Sequence, residues 1–314
     1  MRRYGAPILI GVGVFLVVAG VLLRFYAYPR LAVAPIDQES VTRLEATGAT
    51  LFDTSTLEEI TTDLSVQSRT VGDVEASEEA TEESDETIRV WTGTTSIRSE
   101  DGTVRSRSAE RVAFEATDGT AVNCCGAFVE STDGEREEVV RRGLVYKFPF
   151  DTQKETYDWW DGTAETTAPA RYIETTDIDG LEVYKFEVEI DERVVGSREV
   201  PASVVDERGS DPVTADIAYA NTREMWVEPV TGAIVDRNEH TVTKLQVDGE
   251  DRLTQTDAVL EYTDAQVESN VEDYKPQARM LGLVHGLLPL LFVIVGVLMV
   301  ATGVFLRMRP QRKV

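Results

Sequence analysis

Tyr184-Lys185-Phe186-Glu187-Val188-Glu189-Ile190-Asp191 sets apolar and charged residues in strict alternation. Successive side chains of a strand point to opposite faces, so a period of two marks a half-buried strand. On either side, Asp-Gly pairs at 101–102, 118–119, 133–134, 179–180 and 248–249 punctuate similar runs. Asp-Gly supplies the positive φ that tight hairpins need. Ile88 to Ile97 and Val104 to Ala116 flank one such turn, and Trp226-Val227 and Ile234-Val235 flank Glu228-Pro229-Val230-Thr231-Gly232. The middle of the chain therefore reads as mainly β: a twisted antiparallel sheet, built as a sandwich or half-barrel. Helical signal there is scarce. Thr54 to Leu64 carries Leu57, Ile60 and Leu64 at helical spacing, and is read as a short helix or, almost equally, a strand. Residues 72–86 hold eight acids in 15 positions. Such a stretch buries too little apolar surface to offset chain entropy and is expected to be a disordered acidic loop.

Further out, the composition changes abruptly. Tyr4 to Leu23 is a run of 20 uncharged residues between Arg3 and Arg24, and Met280 to Leu306 a run of 27 between Arg279 and Arg307. At ~1.5 Å rise per residue each spans a ~30 Å hydrocarbon core as a helix. Tyr4, Tyr26, Tyr28 and Tyr274 stand where interfacial aromatics belong. Ala32-Val33-Ala34 has the small-x-small form of a signal cleavage site, but Pro35 follows it. The apolar run also exceeds the ~7–15 residues of a signal core, so it is read as an uncleaved anchor. Arg2 and Arg3 precede the first span, and Arg307, Arg309, Arg312 and Lys313 follow the second. Positive charge marks the cytoplasmic side. The expected organisation is a cytoplasmic N-terminus (1–6), a transmembrane helix (7–28), an extracellular β-rich domain (29–278), a second transmembrane helix (280–306) and a cytoplasmic basic tail (307–314). Gly282 and Gly286 form a GxxxG through which helices can pack. Gly13 with Gly20 and Gly296 with Gly303 repeat every seven residues, Pro289 is expected to kink the second helix, and His285 lies near its outer end.

All 56 acids lie within residues 31–278, beside only 22 of the 31 basic residues. Such a surface repels nucleic acid and excludes it as a partner. Only six basic residues are Lys, and the acids run through the whole domain, as in proteins adapted to high salt.

Catalytic and metal-binding patterns are missing. Cys124 and Cys125 are adjacent; a vicinal disulfide ring and an intermolecular bridge are both open readings. With His240 the sole histidine of the domain, zinc lacks ligands. Asp177-Ile178-Asp179-Gly180 resembles part of a calcium loop, but Thr175 and Phe186 stand at its first and last ligand positions. No nucleophilic triad, phosphate loop or HExxH is present. No catalytic, cofactor or metal residue is assigned, and the chain is read as no enzyme. Phe148, Phe150, Tyr157, Trp159 and Trp160 crowd into Lys147 to Asp161; the choice is between an aromatic binding surface and core packing, with core packing preferred.

Three stretches carry a resemblance. They are Arg24-Phe25-Tyr26-Ala27-Tyr28-Pro29-Arg30-Leu31-Ala32-Val33-Ala34-Pro35, Tyr146-Lys147-Phe148-Pro149-Phe150-Asp151 with Tyr157 to Asp161, and Trp226-Val227-Glu228-Pro229-Val230-Thr231-Gly232. With the terminal anchors, the chain resembles over nearly its whole length the "porin PorA family", membrane proteins of unknown function in actinobacteria and halophilic archaea. That resemblance brings no catalytic residues. The function expected is binding or envelope organisation at the cell surface, with an envelope lipid, polymer or surface protein as partner. The alternative is a subunit of an oligomeric channel or transport assembly. Salt adaptation has a direct test: at ~1 M salt the Debye length is ~3 Å, so circular dichroism of residues 31–278 is expected to show unfolding below about 0.5 M salt. Indifference to salt refutes it.

Overall fold

A computed structural model describes residues 5–130, 134–205, 207–209 and 211–308. The chain divides into two compact units, Met1–Val33 with Lys275–Val314, and Ala34–Tyr274.

The larger unit is one antiparallel sheet curled into a half-barrel. Its strands are β1 (Glu39–Asp53), β2 (Glu58–Gly72), β3 (Ile88–Ser99), β4 (Val104–Glu115), β5 (Ala121–Val122), β6 (Phe128–Glu130), β7 (Arg136–Glu137), β8 (Tyr157–Asp161), β9 (Thr166–Ile178), β10 (Leu181–Pro201), β11 (Pro212–Glu228), β12 (Ala233–Val247) and β13 (Glu250–Tyr262). Their order is β7-β6-β4-β3-β2-β1-β13-β12-β11-β10-β9-β8, with β5 also on β4. Neighbours are mostly hairpin partners, as the Asp-Gly turns require; β1 against β13 is the long-range pairing that joins the two halves. Asp179 and Asp248 do adopt positive φ, 50° and 54°.

The curl brings the β5 and β8 edges to a single strap. Leu144 forms an antiparallel bridge with Thr120 and a parallel one with Trp159. Ala121 N donates to Gly143 O at 2.8 Å and Val145 N to Gly119 O at 2.9 Å on one side. Leu144 N donates to Asp158 O at 2.7 Å and Trp160 N to Leu144 O at 3.1 Å on the other. The strap then drives Phe148 into the core, where its ring stacks on Trp159 (centroids 5.3 Å apart) and lies 4.5 Å from that of Phe186. Met225, Val227, Val188 and Ile190 complete this cluster. Each such side chain, fully buried, contributes about 1.5–3 kcal/mol.

One expectation for this unit is corrected, and one is decided between its two readings. Val74–Glu82, inside the supposed disordered stretch 72–86, is a helix, α3. Asp73 caps it by accepting from Ala76 N at 3.1 Å, and its carboxylate meets Arg111 at 2.8 Å. Ser77 and Ala80 bury against β3, with Ser77 Oγ accepting from Val90 N at 2.9 Å. The acids occupy the solvent side, so a helix with only two buried residues still finds a seat. Thr54 to Leu64 is not helical: Glu58 onward joins β2, because Leu64 and Val66 pair with Ala46 and Leu44 of β1.

In the smaller unit, α1 (Gly5–Leu22) is followed by a π-helical turn, Leu23–Ala27, and the short α2 (Tyr28–Leu31). The second helical run consists of α4 (Asp264–Gly282), a π-helical turn (Leu283–Leu287) and α5 (Leu288–Met308), so it starts well before residue 280. The two π turns have one cause. Each is followed, one residue on, by a proline: Pro29 after Tyr28, Pro289 after Leu288. Proline has no N–H for the carbonyl four residues back and its ring clashes with it. The backbone widens instead, Tyr28 N donating to Leu23 O and Leu288 N to Leu283 O. Both runs are long and apolar enough to cross a membrane.

α1 and α5 pack through glycine. A Cβ on Gly13 would lie 2.6 Å from Gly296 O, one on Gly20 2.9 Å from Pro289 O, and one on Gly303 3.0 Å from Ala6 O. Gly282 and Gly286 take no part in this seam; a Cβ on either would meet nothing within 4 Å. Gly296→Leu is therefore expected to destabilise the helix pair by about 1–3 kcal/mol through overpacking. Gly286→Leu should leave thermal unfolding of the full chain in detergent unchanged. Equal melting temperatures for the two variants would reject the seam.

Candidate functional site

β11 carries Tyr219, Asn221, Arg223 and Met225 at alternate positions, on one face of the sheet. Register places Glu239 of β12 opposite Arg223 and Arg237 opposite Met225. Asp161, at the end of β8, reaches the same face. It accepts from the Tyr219 hydroxyl at 3.3 Å and from Arg223 at 3.4 Å. Glu239 accepts from Arg223 at 2.7 Å and from Asn221 at 2.8 Å, and Arg237 lies 3.6 Å away. Asp161 also binds Thr163 N and Ala164 N at 3.1 and 2.8 Å, closing the β8–β9 turn.

These are buried charges in paired numbers. Burial opposes ionisation of Glu239, but the charges of Arg223 and Arg237 and the hydrogen bonds from Arg223 and Asn221 hold its carboxyl down at about 2. Burial likewise opposes the Arg223 charge, and Glu239 with Asp161 keeps its pKa above the ordinary value. Burial and the same two carboxylates push the Tyr219 hydroxyl up. Asn221 Oδ1 and the Nε atoms of Arg223 and Arg237 are buried without a hydrogen-bond partner.

Arg237 also lines a cleft of ≈ 510 Å³ between the β11–β13 strands and the start of α4. Trp226 and Tyr262 supply aromatic walls; Asp179, Asp236, Glu261, Asp264 and Glu268 supply carboxylates. The Lys185 ammonium sits 4.9 Å from the Trp226 ring centroid. Burial, with Glu261 and Asp264 crowding it, raises the Asp236 carboxyl, against the hydrogen bond from Arg237 N. A cleft with two aromatic faces and a rim of acceptors suits a polar ligand. It holds no nucleophile beside a base.

The residues singled out in the sequence lie elsewhere. Phe148 and Trp159 are core, fully or almost fully buried, and Tyr157 packs edge-on against Phe148. Trp160 is half-buried on β8. Phe150 lies in the loop after the strap, with the Lys147 ammonium 4.0 Å from its ring centroid. That lysine is itself buried, its Nζ donating to Phe148 O at 2.6 Å and Thr117 O at 3.3 Å. Burial pushes its pKa down to about 7, against the pull of Asp118 and Glu115. Cys124 and Cys125 are bonded to each other in the β5–β6 turn, beside α3. The cleft and its charge network had no local signal. Asp161 is 62 residues from Arg223, and in a chain so rich in acids no single carboxylate stands out.

Removing Arg223 leaves two buried carboxylates without their cation. Arg223→Met is expected to cost about 3–5 kcal/mol at pH 7 in urea unfolding. Glu239 contributes fully above the ordinary carboxylate range and loses its contribution as pH falls toward 2. The gap between wild type and variant must therefore narrow at pH 4; a constant gap argues against the ion network.

Comparison with known proteins fits this architecture. The family described as "Porin PorA" matches residues 5–305, both apolar helices and the whole sheet included. A protein named porin PorA from Corynebacterium amycolatum is 27% identical over 300 residues, covering 76% of this chain and 77% of the relative. A match of that extent, end to end across both units, places the chain in the PorA porin family.

Proposed function

We propose that the chain is a two-pass membrane protein, with both termini cytoplasmic, that holds its half-barrel outside the cell as a binding or envelope-organising domain rather than a catalyst. The observation that carries this reading is the charge on both faces of the sheet. Lys185, Glu187 and Glu189 alternate with the apolar side of β10, while Arg223 and Glu239 occupy the other face of β11 and β12. A sheet so charged cannot lie in hydrocarbon, where an ionised side chain costs several kcal/mol. The apolar helices are left to cross. The cleft with Trp226 and Tyr262 is the place for a ligand, and an envelope lipid, polymer or surface protein its class.

A second reading is a subunit of an oligomeric channel. The family description and the name of the corynebacterial relative favour it. Two helices packed through glycine leave no lumen between them, so a pore would need several copies. Gly282 and Gly286, open on the helix surface, are where copies could meet.

Purified full-length protein in planar bilayers separates the two. The binding reading expects no conductance above the lipid background, and retention of envelope polymer that Trp226→Ala abolishes. Discrete conductance steps, lost in Gly282→Leu and Gly286→Leu, would establish the channel instead. Protease added to intact cells is expected to trim the middle of the chain while tags on both termini survive; loss of either tag overturns the topology.

A further inference from the structure

The two proline-induced π turns, Leu23–Ala27 and Leu283–Leu287, touch each other within the helical unit. They mark the level at which the apolar runs of α1 and α5 end. π turns recur at functional sites because the inserted residue re-aims the side chains around it. Here Tyr28 and His285 stack with ring centroids 4.2 Å apart and planes inclined at 29°. The Arg24 guanidinium carbon lies 5.9 Å from the Tyr28 ring centroid.

Arg24 and its neighbour Arg30 differ in what they engage. Arg30 stacks on Tyr26 at 3.8 Å and donates to Tyr26 O at 3.0 Å. Among the described residues, Arg24 has only the distant Tyr28 ring. No carboxylate in its own unit can neutralise it: neither residues 5–33 nor residues 275–308 contain an acid. A half-buried cation at the edge of hydrocarbon without a counter-ion is costly. Phe25 of the first π turn and Leu283 and Leu287 of the second are exposed, so the two touching turns present apolar surface alongside the cation.

We propose that Arg24, Tyr28 and His285 form a binding site for the phosphate of an anionic phospholipid headgroup. The guanidinium fork supplies paired donors suited to phosphate oxygens. His285 supplies a ring N–H, Tyr28 fixes that ring by stacking, and the acyl chains lie along Phe25 and Leu287. The exposed hydrocarbon on this surface is what selects a lipid over soluble phosphate.

The test uses the full-length chain in detergent, offered phosphatidylglycerol and phosphatidylcholine of identical acyl chains, with retained lipid counted by native mass spectrometry. Wild type is expected to retain phosphatidylglycerol preferentially. Arg24→Gln should weaken that retention by about tenfold, the factor carried by roughly 1.4 kcal/mol. His285→Gln should weaken it less, Arg24→Lys should keep the charge but recover only part of the retention because the paired donors are lost, and Arg30→Gln should leave it intact. Circular dichroism confirms that each variant is folded. Equal retention of the two lipids by wild type, or equal losses in Arg24→Gln and Arg30→Gln, overturns the site. Displacement of the lipid by millimolar glycerol phosphate overturns the lipid assignment in favour of a soluble phosphate.

Discussion

A sheet of this length has two edges, and every edge carries backbone N–H and C=O groups seeking partners. Here β8, one end of the sheet, and the segment Gly119–Ala121 leading into β5 both meet the backbone of Gly143, Leu144 and Val145. These three residues hydrogen-bond residues 119–121 on one side and β8 on the other, so both segments find backbone partners there. The consequences reach outward from this strap. It sets the path by which Phe148 enters the core against Trp159 and Phe186. It buries Lys147 against backbone carbonyls. It also keeps β8 within reach of β11, which is how Asp161 meets Arg223.

The interior that results is mixed. Near the strap it is aromatic; further along β11 and β12 it is ionic, with Arg223 between two carboxylates. Buried ion pairs contribute little net stability against an apolar core of the same volume, but breaking one partner is costly. Of this network, Arg237 also lines the cleft beside Trp226 and Tyr262.

The helical unit follows a different constraint. Lipid cannot hydrogen-bond a backbone, so the chain must satisfy itself by helix. Pro29 and Pro289 each break that self-sufficiency beside a π turn, and the turn restores it by shifting the acceptor one residue back. The glycine seam at Gly13, Gly20, Gly296 and Gly303 then lets the helices approach until backbone nearly meets backbone. The aromatic and cationic side chains gathered at the π turns sit just beyond that seam.

Much of this was legible from the residues alone, for local reasons. Period-two alternation and Asp-Gly turns reported strands and hairpins, because pleat and turn geometry act over two to four residues. Uncharged runs reported the apolar helices, because hydrophobic length is a property of the run itself. At Thr54 to Leu64 helix and strand were both open to the sequence, and pairing with β1 decided for strand from Glu58 onward. Acid content misled at Val74 to Glu82, where one cap and two buried side chains suffice to hold a helix. Of the glycines the sequence marked, the GxxxG pair Gly282 and Gly286 stays outside the seam, while Gly13, Gly20, Gly296 and Gly303, seven residues apart in pairs, form it. What only the tertiary structure decided is what depends on distant partners: closure through Leu144, the Asp161–Arg223–Glu239 network, and the stack of Tyr28 on His285. Each joins residues separated by 15 to 257 positions in the sequence, and no local pattern records which of many chemically similar residues will meet.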